Sequence, residues 1–420
     1  MRISVGAVGK TTSVVAVAAM LAVGMAGCTR AGTTPSSSGG PADDPGITDS
    51  TITLGVDTPL SGPVAGPGSC AAAGLQAYFG AANAAGGIKF GDGHTRQVEI
   101  KTYDDAYDPA KAVSNFHQMI ADKVFADVGG LGAGNNLAIM PLANQQKIPQ
   151  VFLQSNTTKF SSDQSANPWT TGWLPTYRSE GEAFGKFLAA ADKPLTVATL
   201  AQNDDVLQEV EGLKDAIKGS QVKIVAQATY EATDPTVDAQ IARLAASKAD
   251  VFFSADVQVP LTIASLLKAQ QLGWLPVIFL PANTSAKATI LDPGHADAYP
   301  AVYTTGFSKN AGDPQYANDA DVKQYVKDMA AYAPKSATSN AFAQCEWAYS
   351  IGATTEAAFK AMKAPTRAAF MDGVHGLKNL EVPLLLPGVT VDTTSLTEPA
   401  VNITQIQKFS GGVYSKADSY

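Results

Sequence analysis

The sequence predicts an α/β protein built as two doubly wound parallel-sheet lobes. Three observations carry this expectation. The run TITLGVDTPLSGPVAGPGSCAAAGLQAYFGAANAAGGI, from Thr51 to Ile88, passes from a strand through a loop into a helix. A second series of alternating strand-like and helix-like runs fills Leu195 to Leu280, and such alternation implies parallel strands joined by right-handed crossovers. Between the two series stands a long connection containing Pro168-Trp169-Thr170-Thr171-Gly172-Trp173, of the sort that joins domains.

Ahead of Thr51 the chain reads as a leader and a spacer. Arg2 and Lys10 bracket a short positive segment, Val14 to Val23 is apolar, and Met25-Ala26-Gly27-Cys28 follows. The apolar run is shorter than the roughly 20 residues of a membrane span, so residues 1–27 read as a secretory signal. Small residues directly before a cysteine resemble a lipoprotein cleavage site, which makes Cys28 the expected lipidation site; Met25 departs from the commoner leucine. Residues 28–50, rich in Ser, Thr, Gly and Pro, read as a flexible tether. The remaining length and a 45% hydrophobic content suit two globular cores. A net charge of -8 argues against nucleic acid or an anionic membrane face as partner, since both are bound by clustered Lys and Arg.

Ile52, Leu54 and Val56 alternate with Thr51, Thr53 and Gly55, the period of a strand. The prolines and glycines from Pro59 to Gly68 oppose regular structure, and Ser69 is placed to cap a helix with Ala72, Leu75, Phe79 and Ala82 on its apolar face. The loop lies at the strand's carboxyl end, where α/β sheets bind ligands, so Pro67 is a wall candidate. Val98 to Thr102 reads as the next strand. The carboxylates Asp104, Asp105 and Asp108 lack the glycine and distal glutamate of a calcium loop; Asp108-Pro109 reads instead as a helix cap and first-turn proline.

Val124 to Val128 is a strand, and the glycines around Leu131, Gly132 and Ala133 let backbone N–H groups approach a ligand where a helix start favours an anion. This run lacks the dinucleotide G-x-G-x-x-G spacing, and Gly66 to Ala71 lies too far beyond its strand, so no cofactor is expected. The strand from Ile148 to Leu153 delivers Gln154, Ser155, Asn156 and Thr157 to the same edge, groups able to hydrogen-bond a carboxylate.

Leu54-Gly55, then Pro59-Leu60-Ser61-Gly62-Pro63, then Asn83-Ala84-Ala85-Gly86-Gly87-Ile88 resembles, in order and spacing, the opening of the leucine/isoleucine/valine-binding family of solute-binding proteins. The likeness runs from about Thr51 to the C-terminus. It implies the type I periplasmic-binding fold, with lobe 1 over 51–175 and 306–375, lobe 2 over 176–305 and 376–420, and a three-crossing hinge. It also implies that the loops after the third and fourth strands hold a ligand carboxylate. With Cys28 lipidated, Cys70 and Cys345 remain. The resemblance places their helices in one lobe, which suggests a disulfide in an oxidising compartment; two buried thiols are the alternative.

In the second series, helices are expected over 180–190, 207–217, 238–246 and 261–271, and strands over 195–200, 222–226, 251–254 and 277–280. Asp204, Asp205, Val206, Asp256 and Asn283 follow strands and would face the cleft. Val302 to Thr305 leads back toward the first lobe, with helices over 322–332, 341–362 and 367–374. Phe342, near a helix start, is a pocket candidate, whereas Trp347, Tyr349 and Phe359 read as core. Pro383 to Val391 and Ile403 to Phe409 resemble the family's closing strands.

Catalysis is not expected. His94, His117, His295 and His375 are isolated without metal-ligand spacing, and neither G-x-S-x-G nor C-x-x-C occurs. The residues and the resemblance together imply a monomeric lipoprotein on the extracytoplasmic face of the cell membrane. It would capture an amino acid, amide or small carboxylate between its lobes and pass it to the permease subunits of an ABC transporter. A tethered ligand sensor on the same fold is the alternative. The resemblance also marks departures: the family's carboxylate-binding serine is matched by Ala133, and its ammonium-binding acid by Asn283. Asp256 stands near a family aromatic, and Pro67 where the family presents a side chain to the ligand.

Overall fold

A computed structural model describes residues 44–62, 64–162, 164–337, 342–402 and 405–420. The leader, Cys28 and the tether up to residue 43 lie outside the described residues, as does Pro63. The first sheet takes β1 (Thr51–Thr58), β2 (Ile88–Lys89), β3 (Thr95–Asp104), β4 (Ala126–Val128), β5 (Gln150–Leu153) and β6 (Thr170–Gly172), in the order β2-β3-β1-β4-β5-β6. The second takes β7 (Leu195–Gln202), β8 (Val222–Tyr230), β9 (Val251–Ala255), β10 (Val277–Phe279), β11 (Val302–Gly306), β12 (Gln405–Ser410) and β13 (Val413–Lys416), in the order β13-β12-β11-β10-β9-β7-β8. Both sheets are mostly parallel; β2 and the β12–β13 pair add antiparallel edges.

Helices α1 (Ala65–Ala84), α2 (Pro109–Ala121) and α3 (Ala133–Gln146) fall among the first-sheet strands. Helices α4 (Tyr177–Ala189), α5 (Leu207–Ala216), α6 (Asp238–Ala246) and α7 (Val259–Gln271) fall among those of the second. Then α8 (Ala320–Tyr332), α9 (Pro334–Ala337), α10 (Ala343–Ala361) and α11 (Arg367–Val374) return to the first lobe, where α8 and α10 pack on α1. Each sheet reverses its strand order beside its first strand, between β1 and β4 and between β7 and β9. Loops diverge at such a switch point and leave a crevice, which places two crevices opposite one another.

Burial explains the first strand: Ile52, Leu54 and Val56 are fully buried, while Thr51 and Thr53 are only partly so. Asp108 caps α2 by accepting from the Ala110 N–H at 2.8 Å, with Pro109 at the first helical position, as its spacing predicts. Cys70 and Cys345 are joined in a disulfide between α1 and α10. Gly74 permits that approach, since a Cβ there would lie 2.2 Å from the Cys345 carbonyl oxygen.

Several expectations need correction. Helix α1 starts at Ala65 rather than after Ser69, because first-turn N–H groups need no helical partner and Pro67 therefore costs nothing there. The tether ends before residue 50: Ile47 is buried and bridges Ile52, and the Asp44 carboxylate accepts from the Arg367 N–H. Residues 383–391 form no strand, only isolated bridges from Leu385 to Ser308 and from Val391 to Leu380 and Val401. Moreover Leu377, Leu385, Leu386, Val389, Val391 and Val401 belong to the core under the first sheet. The chain thus stays with the first lobe well past residue 376, and β12 carries the return. The first and last crossings meet where the Val401 N–H donates to the Trp173 carbonyl, and Ser308, just after β11, bridges Leu385 of the first lobe.

Candidate functional site

A cavity of about 70 Å³ sits where the two switch points face each other. Pro67, Leu131, Gly132, Ala133, Gln154, Ser155 and Asn156 line it from the first lobe, and Asn283 from the second, as expected from their places after strands. Gly132 takes φ +107 to start α3, and the Tyr107 ring packs so close that a Cβ on Gly132 would lie 2.8 Å from it. Only glycine serves both demands.

The wall carries polar atoms with no partner. Ser155 Oγ, Gln154 Oε1, Gln344 Oε1 and Asn283 Oδ1 are all buried and make no hydrogen bond among the described residues. Leaving such a group unpaired costs about 1–3 kcal/mol, so a cluster of them around one cavity points to a polar occupant. The orientation of Gln154 is set, since its Nε2 donates to the Gly129 carbonyl at 3.2 Å. Asn156 likewise spends its Nδ2 on the Pro175 carbonyl at 2.7 Å.

Other expected wall residues lie elsewhere. Thr157 Oγ1 donates to Asp205 Oδ2 at 2.8 Å, and Lys159 Nζ stands 3.4 Å from Asp205 Oδ1, so both Thr157 and Asp205 are spent on a contact between lobes. The Thr158 hydroxyl adds a bond to Gln208 at 2.9 Å. Val206 is core in the second lobe. Asp256 is fully buried against Ser254, whose Oγ donates to it at 3.1 Å, and burial pushes its carboxyl up to about 7. Phe342 packs over Gly66 beside the cavity instead of lining it.

The strand-end logic missed Tyr107, Leu174, Tyr177, Val257, Val259 and Gln344, which also line the cavity, and Trp347, expected in the core, does both. Tyr107 was within reach of that logic because it closely follows β3. Burial, with Asp204 and Asp105 nearby, pushes its phenol up to about 12.

Behind each wall lie buried acids. Asp57, Asp105 and Asp127 cluster in the first lobe: Asn115 Nδ2 donates to Asp57 at 2.7 Å and Asn135 Nδ2 to Asp105 at 2.6 Å. Burial first, then Asp127 and Asp105, pushes Asp57 up to about 9. In the second lobe Glu180 accepts from the Ala282 N–H at 3.1 Å, Thr305 Oγ1 at 2.6 Å and, across the lobes, Asn156 Nδ2 at 3.4 Å. Glu209 is fully buried with neither oxygen bonded among the described residues, and burial raises its carboxyl well above the ordinary range. Among the described residues no group of three or more His, Cys, Asp or Glu is arranged to hold a metal, and no helix is long and apolar enough to cross a membrane.

Two mostly parallel sheets facing one polar cavity across three crossings define a two-lobed binding-protein fold. The chain belongs to the periplasmic binding protein family, whose model matches residues 51–412. It is 27% identical over 207 residues to a leucine-, isoleucine-, valine-, threonine- and alanine-binding protein of Pseudomonas aeruginosa, a match covering 48% of this chain. The chain spans about half the length of that relative, 52%. A fatty acid ABC transporter substrate-binding protein from Thermomonospora curvata superposes with a TM-score of 0.72 at 21% identity, over 89% of this chain and 94% of that one. A branched chain amino acid ABC transporter protein from Thermus thermophilus with bound valine gives 0.75 at 16%, over 89% and 97%. An R. palustris solute binding protein in complex with benzoate gives 0.69 at 17%, over 87% and 95%.

Proposed function

We propose that this chain is an extracytoplasmic solute-binding lipoprotein, anchored through Cys28, that captures a small polar ligand between its lobes and delivers it to an ABC transporter. The observation that carries the reading is the ring of unpartnered buried atoms, Ser155 Oγ, Gln154 Oε1, Gln344 Oε1 and Asn283 Oδ1, facing one cavity between the two switch points. A ligand that satisfies them gains from both lobes only when the lobes are together, so its affinity difference between open and closed states drives closure about the three crossings. In this reading the chain is a monomer without catalytic activity. The names of the relatives support it: they are binding proteins, and several are named for ABC transporters.

The test is thermal unfolding of the chain from Thr29 against amino acids, amides, carboxylates and sugars at millimolar concentration. A ligand of micromolar affinity adds roughly 4 kcal/mol to the native state at that level, a shift of several degrees. A flat response to every class rejects the binding reading.

A further inference from the structure

Next to the cavity between the switch points lies a second, smaller space that the binding reading does not use. It measures about 40 Å³, room for a few water molecules. Ala282 and Thr304 line it from the second lobe, Ser308 from the crossing that follows β11, and Ala343 and Glu346 from α10. The two spaces are neighbours along the chain: Ala282 and Ala343 line the smaller, while the next residues, Asn283 and Gln344, line the larger. Among the described residues Trp347 alone lines both, so its side chain is the partition.

The crossing holds that partition in place. Trp347 Nε1 donates to Ser308 Oγ at 2.9 Å, and the Phe307 ring stands 5.4 Å from the Trp347 ring, centroid to centroid. A buried indole N–H needs an acceptor, so the Ser308 hydroxyl fixes which way the ring edge points. The smaller space is itself polar and unsatisfied. Thr304 Oγ1 and Glu346 Oε2 are buried on residues that line it and make no hydrogen bond among the described residues. The other Glu346 oxygen accepts from the Ala311 N–H at 2.6 Å, and burial pushes the carboxyl up to about 8. Lys309 also lines the space, but its Nζ is spent on Asp319 and Asp321 at 2.9 and 3.0 Å. A carboxyl oxygen and a hydroxyl that both lack donors suit an N–H-bearing group, and an ammonium best, since it also brings the charge that an ionised Glu346 needs beside it.

We infer that Trp347 is the specificity-determining residue that limits ligand length, that Ser308 is its positioning residue, and that the space behind the indole is a shut-off subsite for the ammonium end of a longer ligand. The inference rests on the binding reading above. It concerns the far end of the ligand, whatever head group the larger cavity takes.

Calorimetric titration of the purified chain with two length series tests it. One series is alanine, norvaline, norleucine and lysine; the other is propanamide, pentanamide, hexanamide and 6-aminohexanamide. Within each, the last two members share a carbon chain and differ only in the terminal ammonium. The wild type is expected to bind the short members, to lose roughly tenfold or more by six carbons, and to gain nothing from the terminal ammonium. Trp347→Ala, which joins the two spaces, is expected to reverse the order: six carbons bind roughly tenfold tighter than three, and the terminal ammonium binds tighter still.

Trp347 also belongs to the core, so a gentler variant stands beside that one. Ser308→Ala frees the ring without removing it and is expected to move the preference the same way by a few-fold, whereas Ser308→Thr keeps the hydroxyl and the wild-type order. The order of preference at an unchanged far-UV spectrum is a readout that a purely structural role would not move. An unchanged order in Ser308→Ala, or in Trp347→Ala where it folds, overturns the inference and leaves the binding reading standing. A wild type that already prefers six carbons or the terminal ammonium does the same. No heat with either series in any form overturns the inference, and a flat thermal scan against all classes overturns the binding reading with it.

Discussion

On the first-lobe side of the cleft, Gln154, Ser155 and Gln344 line the cavity with unpartnered polar atoms, whereas on the second-lobe side only Asn283 does, the acids Glu180 and Asp205 being bonded off the lining and Asp256 holding Ser254 through one oxygen only. One wall keeps its hydrogen-bonding capacity open and the other spends most of its own on structure. The difference teaches that proximity to a strand's carboxyl end marks where polar residues gather, but not which of them stay free. Thr157 and Ser155 are two residues apart on one loop; the first is tied to Asp205 and the second faces the cavity.

The largest expected effect separates the two lobes. Replacing both Cys70 and Cys345 by Ser is expected to lower stability by about 5 kcal/mol, given their sequence separation of 275. Hydrogen exchange should accelerate in α1 and α10 and stay unchanged in β7 and β9. Equal acceleration in both sheets would show that the walls are not independent.

Next comes the residue that joins them. Glu180→Ala removes the acceptor of Ala282 N–H and Thr305 Oγ1 and is expected to cost about 3 kcal/mol in urea unfolding. A loss under 1 kcal/mol would mean that water replaces the carboxylate.

Glu209 should behave in the opposite sense. It is equally buried but unbonded, so Glu209→Met at similar volume is expected to stabilise by about 1–2 kcal/mol, read from the same urea midpoints.

The smallest effect per step is in pH. Asp57 rises from 3.8 to about 9 on folding, so the native state binds more protons than the unfolded chain between those values. Stability therefore falls as pH rises from about 4 toward 9, by at most about 1.4 kcal/mol per pH unit for this one group. Asp57→Asn is expected to flatten the decline of Tm across that range; an unchanged slope would assign it to other acids.

Much of the fold was legible because the strands follow their burial. β1, β7 and β9 sit where period-two and apolar runs place them, and α11 spans 367–374 as read. Residues 383–391 misled because apolar side chains such as Leu385, Leu386 and Val389 fill a core as well from an irregular segment as from a strand. At the site, Leu131 to Ala133 and Gln154 to Asn156 were legible from the order strand, loop, helix. Tyr177, Val257 and Val259 were not, because a helix-start residue lines the cavity only through the approach of the opposite lobe, which no local pattern records. Asp256 misled for a related reason: it follows its strand as expected, yet its side chain turns inward to Ser254.

The disulfide also fixes an order of events during synthesis. Cys70 has no partner until Cys345 has been made, and in between the chain produces β7 to β11 of the other sheet. That sheet is itself unfinished until β12 and β13 arrive after residue 404. A chain emerging amino end first thus holds one sheet complete in strands by Gly172 and a second still lacking two, and the first keeps an apolar face open until Trp347 to Val401 arrive to cover it.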